Sequence, residues 1–195
     1  MPRQILVIIG HPDPDPARFC RALASAYVEG ARTAGHEVRV IDIANLDFPL
    51  LRSQAEFEAG PLPPSLAEAA EAVSWASHIV IVFPLWLGTM PALLKGFLEQ
   101  VIRPGVAFTY PNGDDRGKML LKGRSARAVV TMGMPGLLYR LWFLNHGIAT
   151  LTRNILRFVG IGPVRQTLFG MIKTASDTKR RDWLDTMRKL GARGL

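Results

Sequence analysis

The sequence predicts an α/β fold: an open, five-stranded parallel sheet with helices on both faces. Three observations carry that prediction. Short, unbroken apolar runs recur, as in strands buried on both faces. Glycine or proline bounds several of them. Segments with helical spacing lie between them, and this alternation builds parallel sheets.

The elements follow in chain order. Gln4–Ile9 is an apolar run of strand length that stops at Gly10. Phe19, Leu23, Ala26, Tyr27 and Ala31 share one helical face, so a helix is expected from Phe19 to Ala34, closed by Gly35. Glu37–Ile43 alternates and reads as the second strand. Asn45–Pro64 is a proline-rich excursion. Ser65 with Glu68 three residues later has the form of a capping box, which predicts a helix to about Ser77. His78–Phe83 is the third strand, ended by Pro84. Pro91 suits the first position of a helix running to about Ile102. Ser125–Met132 is the fourth strand. Leu138–Phe158 reads as one helix, apolar over much of its surface. Val164–Phe169 is a fifth strand, and Ser176 caps a polar closing helix to about Leu190.

At 195 residues and 48% hydrophobic, the chain is expected to form one domain, 1–195, with a substantial core. No apolar stretch reaches the ~18 residues of a membrane span. Met1 to Arg3 lead straight into the first strand with no leader pattern. Cys20 is the only cysteine, so there is no internal disulfide framework. A cytoplasmic protein is expected. The four histidines, His11, His36, His78 and His146, lack ligand spacing, and no metal is called for.

Charge is uneven. Residues 1–100 hold 7 Lys+Arg against 11 Asp+Glu, and residues 101–195 hold 17 against 5. A cationic second half suits a phosphorylated ligand, an anionic membrane surface or an acidic partner, and equally a solvated arginine-rich face. Nucleic acid is not expected, because no zinc spacing, RNA-binding aromatic motif or basic heptad region is present.

In such a sheet, ligands bind beyond the carboxyl ends of the strands, where strand order reverses; if the order is 2-1-3-4-5, that is between the first and third strands. Three unusual stretches fall there. The first, "GHPDPDPARFC", lacks both the Walker and the GxGxxG pattern yet leads into a helix N-terminus, where free amides favour phosphate. His11 and Arg18 could add donors; a packed turn histidine and a surface arginine are the competing reading. The second, "FPLWLGTMPALLKGFLEQV", strands Trp86 on a loop, as a wall for a planar ring or as a plug on the sheet end. The third, "TMGMPGLLYRLWFLNHG", brings Tyr139 and His146, either proton-handling groups or positions on the surface of an amphipathic helix.

Together these stretches resemble the flavodoxin-like NAD(P)H:quinone oxidoreductases, the family of DT-diaphorase, bacterial NADPH-quinone reductases and ancillary subunits of potassium efflux systems. The resemblance runs from Gln4 to about His146. It is strongest in "FPLWLGTMPALLKGFLEQV" with "FTY" at Phe108–Tyr110, and next in "GHP…F". It implies a flavin, FMN with FAD as the alternative, and NAD(P)H as co-substrate. Glu99 is the one match to the family's adenine end. His11, Phe19 and Cys20 match phosphate-binding positions, with Arg18 standing where a small polar residue is usual. Pro84, Leu85, Trp86, Leu87 and Gly88 match the loop along the isoalloxazine ring; Thr131, Met132 and Gly133 match the loop at its pyrimidine end. Tyr139 and His146 look like the pair that stabilises charge on the reduced flavin. A quinone-like acceptor follows from the same resemblance, and so does a homodimer, since Leu138–Phe158 is apolar on more than one helical face and family members pair in this region. The alternative is a flavin-binding ancillary subunit docked on a membrane transport protein. The basic second half leaves room for a peripheral membrane contact.

Overall fold

The computed structural model describes residues 1–111 and 117–195. Five parallel strands form one sheet in the order β2-β1-β3-β4-β5. They are β1 Gln4–Ile9, β2 Glu37–Asp42, β3 His78–Pro84, β4 Ser125–Thr131 and β5 Val164–Phe169. The central strands β1 and β3 are buried on both faces, which is why they read as unbroken apolar runs. Strand order reverses between β1 and β3, in register from Ile5 opposite His78 to Ile9 opposite Val82.

Two cores flank the sheet. On one face Ile5, Val7, Val80 and Val82 pack under helix α1 (Phe19–Thr33) and helix α7 (Asp177–Ala192), with Tyr27 and Met187 fully buried between. On the other, Leu6, Ile8, Ile79 and Ile81 pack under α3 (Ala67–Trp75) and α4 (Ala92–Val101). Helices α1 and α7 approach closely because glycine faces backbone at both crossings. A Cβ on Gly30 would lie 2.1 Å from the Arg188 carbonyl oxygen, and one on Gly191 would lie 2.1 Å from that of Tyr27.

The sequence expectations need correction in three places. Ser65 does not cap a helix. It sits inside a 3₁₀ turn, Pro64–Leu66, and α3 begins at Ala67 without a side-chain cap, because Pro63-Pro64 sets a tighter turn first. The proline-rich excursion contains a short helix, α2 (Gln54–Ala59), capped by Ser53. Leu138–Phe158 is not one helix. It divides into α5 (Gly136–Trp142), α6 (His146–Ala149) and a π-helix, Thr150–Arg157. Leu144 and Asn145, both left-handed at φ 49° and 58°, make the break. Ser176 does cap α7, accepting from the Lys179 amide.

Candidate functional site

The loop after β1 is built by its own side chains. His11 Nδ1 accepts from the Asp13 amide at 3.0 Å, Asp13 Oδ1 from the Asp15 amide, and Asp15 Oδ1 from the Ala17 amide, both at 2.9 Å. This ladder of side-chain turns is what the alternating aspartates supply, while three prolines stiffen the steps between them. Arg21 of α1 clamps the loop by donating to the Asp13 carbonyl and pairing with Asp42 at the end of β2.

The ladder fixes the His11 tautomer. With Nδ1 accepting, the proton of the neutral ring lies on Nε2. Burial holds the His11 pKa below the usual histidine range; Arg18 and Arg21 push the same way, and Asp13 opposes them. His11 is therefore a neutral Nε2–H donor at physiological pH. Its ring meets Trp86 edge-on at 5.9 Å between centroids. The amide of Phe19, at the start of α1, has no partner among the described residues, and that of Cys20 meets only its own thiol. They are the free donors of a helix N-terminus.

The loop after β3 is a tight turn. Trp86 and Thr89 exchange backbone hydrogen bonds at 2.9 and 3.0 Å, and the central residues Leu87 and Gly88 both have positive φ, 46° and 80°. Two positive φ values define a type I′ turn. Glycine adopts that conformation freely, but leucine is strained there, and the Leu87 side chain is fully exposed. Tyr139 holds the turn in place: its hydroxyl donates to the Gly88 carbonyl at 2.9 Å and accepts from the Ile148 amide at 3.3 Å. Gly147 lies against the same carbonyl, so closely that a Cβ there would sit 1.8 Å from the oxygen.

The loops are also joined beneath. Leu85 donates its amide to the Thr131 carbonyl at 2.8 Å, and the Thr131 hydroxyl meets Cys20 Sγ at 3.2 Å. Burial raises the Cys20 pKa to about 11, so the thiol is a packing group. Phe19 turns its ring toward Trp183 of α7, and buried Met132 bonds through its backbone to the end of β5. Pro84 closes β3 opposite Thr131, and Gly133 is exposed beyond it.

The fold thus gathers His11, the α1 amides, Trp86, Leu87, Gly88 and Thr131 at the carboxyl end of the sheet. Two expected site residues stand apart. Arg18 is drawn into ion pairs with Asp13 at 2.6 Å and Asp15 at 3.5 Å. His146 is exposed, and its ring bonds to no described residue. Tyr139 is fully buried rather than on a helix surface, with its proton committed to Gly88 and its pKa raised by burial. Sequence reasoning missed Gly147, the aspartate ladder and the Arg21–Asp42 clamp. The Asp-Pro-Asp-Pro repeat was the one available signal for the ladder.

A separate cleft of about 630 Å³ runs along α4, between Lys95, Glu99, Phe108, Tyr110, Ile155 and Phe158. It collects Glu99 with Phe108 and Tyr110 of the "FTY" stretch, and none of the loop residues above lines it. Among the described residues no cluster of His, Cys, Asp or Glu is placed to hold a metal ion.

An open parallel sheet with an amide-lined helix N-terminus and an aromatic turn at its reversal point defines a class of protein that holds a ligand across that edge. The family model of the flavodoxin-like fold, Flavodoxin_2, matches residues 3–190, and the chain belongs to that family. An uncharacterized NAD(P)H oxidoreductase of Haemophilus influenzae is 28% identical over 187 residues, covering 92% of this chain and 90% of its own. An FMN-dependent NADH:quinone oxidoreductase of Nitratidesulfovibrio vulgaris is 27% identical, covering 86% and 88%. The solved NAD(P)H:quinone oxidoreductase from Methanothermobacter marburgensis superposes with a TM-score of 0.80 at 25% identity, covering 98% of each chain.

Proposed function

We propose that the protein is an NAD(P)H:quinone oxidoreductase that holds FMN at the three loops and acts as one domain over residues 1–195. The observation that carries this reading is the direct His11–Trp86 contact, which sets a fixed hydrogen-bond donor and free helix amides beside an aromatic turn. The residues fit the cofactor. The Phe19 and Cys20 amides with His11 Nε2–H suit its phosphate, and Trp86 with the Leu87 and Gly88 amides, unbonded among the described residues, suits a planar ring with polar edges. When bound, FMN carries the hydride from NAD(P)H to a quinone or similar acceptor. The chain positions the ring: Tyr139 and Gly147 hold the Gly88 carbonyl, and so fix the turn's amides. Relatives named as FMN-dependent favour FMN over FAD. The ancillary-subunit alternative draws no support from the three relatives above, all named oxidoreductases.

Homodimer formation belongs to the same reading. Within the expected pairing region, Leu138–Phe158, the side chains of Ile155 and the more than half-exposed Phe158 on the wall of the α4 cleft are a surface for a second copy of the chain. A cytoplasmic location agrees with one unpaired cysteine; no helix among the described residues is long and apolar enough to cross a membrane. The test is the absorbance spectrum of purified protein, mass identification of the released cofactor, and NADH and NADPH oxidation with a water-soluble quinone. A yellow protein with quinone-dependent turnover is expected. Protein that neither carries nor takes up flavin would end the reading.

A further inference from the structure

Helix α5 turns its apolar side chains outward. Leu137, Leu138, Leu141, Trp142, Phe143 and Leu144 are all exposed, Leu141 at 68% and Trp142 at 77%. Isolated exposed leucines are ordinary, but six large apolar side chains in eight consecutive positions form a patch that marks a contact surface. The left-handed Leu144 and Asn145 end the helix abruptly, and Leu144 stays exposed beyond it. Only Tyr139 of the helix points inward, to the Gly88 carbonyl. The patch lies on the helix that Tyr139 ties to the Trp86–Thr89 turn, whose Trp86 and Leu87 are exposed, and none of its residues lines the α4 cleft.

Charge selects the occupant. From Arg116 to Ser176 the sequence contains no Asp or Glu and ten Lys or Arg. Arg140 lies within the patch. Exposed Met171 and Lys173 extend its rim, because the Met171 amide bonds the Met134 carbonyl and Gly170 packs on Gly136 at the start of α5. Arg153 and Arg157 lie exposed on the following π-helix. Leucine, tryptophan and phenylalanine rimmed by cations, with no carboxylate in the whole segment, is the composition of a helix that lies in the interface of an anionic bilayer.

We propose that α5 is a membrane-surface docking face. It seats on an anionic lipid bilayer, with Trp142 and Leu141 in the acyl boundary and the surrounding cations at the headgroups. This places the Trp86–Thr89 turn at the lipid surface. Resting on the reductase reading above, it also assigns the acceptor class: quinones dissolved in the bilayer, taken up at the membrane face without passage through water.

The experiment is co-sedimentation of the flavin-loaded protein with phosphatidylcholine vesicles, with and without phosphatidylglycerol. Binding is expected only with phosphatidylglycerol, and should weaken with added salt as the headgroup attraction is screened. Leu141→Ser with Trp142→Ser should lower partition about tenfold or more, since these side chains supply the buried apolar area. Arg140→Glu should lower it about tenfold. All these variants should reduce a water-soluble quinone as the parent does, yet lose most turnover on a long-chain quinone held in vesicles. Loss of quinone turnover in the parent, with vesicle binding intact, would sink the reductase reading and leave the docking face standing. No binding to phosphatidylglycerol vesicles, or equal binding by the serine variant, overturns the proposal. So does light scattering in which Leu141→Ser with Trp142→Ser dissociates a dimer, because α5 would then be a subunit contact.

Discussion

At the scale of single residues, the candidate site depends on which atoms are already spent. His11 commits Nδ1 to the Asp13 amide, so only Nε2–H is left for a ligand. His11→Ala should weaken FMN retention by about 1.5–3 kcal/mol, the range for one hydrogen bond to a charged group. Arg18→Ala should cost less, since Asp13 and Asp15 already pair its charge. Fluorescence titration of apoprotein with FMN measures both; an unchanged affinity for His11→Ala would make it a packing residue of the turn. The Tyr139 hydroxyl is likewise spent, on the Gly88 carbonyl and the Ile148 amide. Tyr139→Phe releases the strained Leu87–Gly88 turn and should slow flavin reduction by NADPH about tenfold, because misplaced donors lose much of their transition-state value. Stopped-flow reduction of the flavin-bound variant at the parent rate would show that the turn holds without the hydroxyl. The residue types at the three loops were legible in the sequence because proline, glycine and an isolated tryptophan interrupt strong apolar runs there. Their partners were not. Whether Arg18 faces a ligand or Asp13 depends on side-chain turns that residue identities alone do not specify.

At the scale of elements, local signals succeeded where the chain decides its own path, and failed where another element decides it. All five strands followed from apolar runs, because β1 and β3 are buried on both faces, whereas their order came with the family resemblance. The Ser65 capping box failed because Pro63-Pro64 imposes a 3₁₀ turn first. Leu138–Phe158 read as one helix because its composition is helical throughout; the break at Leu144–Asn145 is set by tertiary packing, where α6 must pass over the Gly88 carbonyl at Gly147. The α1–α7 crossing was silent in the sequence for the same reason. Gly30 and Gly191 look like weak points in two helices, yet each admits the other helix's backbone. Gly191→Val should force α7 off α1 and lower the melting temperature by well over the few degrees that a helix-favourable surface replacement of glycine would raise it, since overpacking costs about 1–3 kcal/mol. Thermal unfolding followed by circular dichroism decides this. A variant as stable as the parent would mean the helices separate without cost.

At the scale of the whole molecule, the end of the sheet opposite the candidate site contributes an acid-sensitive part of the stability. His78 opens β3, is 1% exposed, and shares a 2.8 Å hydrogen bond between Nδ1 and Ser125 Oγ. Its Nε2 has no partner among the described residues. Burial, then Arg3, Arg127 and Arg165, push its pKa down to about 3 from the ordinary 6.5. The hydrogen bond from Ser125 opposes them, and no carboxylate among the described residues does. The folded protein therefore holds His78 neutral over a range in which the unfolded chain takes up a proton. Stability from this group is complete above pH 6.5 and declines as pH falls from 6.5 toward 3, by about 1.4 kcal/mol per pH unit while one more proton is bound in the unfolded state. Between pH 7 and pH 5 the wild-type chain should lose about 2 kcal/mol more than His78→Asn, which has no proton to gain. Urea unfolding of both proteins at the two pH values measures the difference directly. The substitution's own cost cancels, because each protein is compared with itself. Equal losses would mean that the folded protein protonates His78 among three arginines, which requires a counter-anion bound at that end of the sheet.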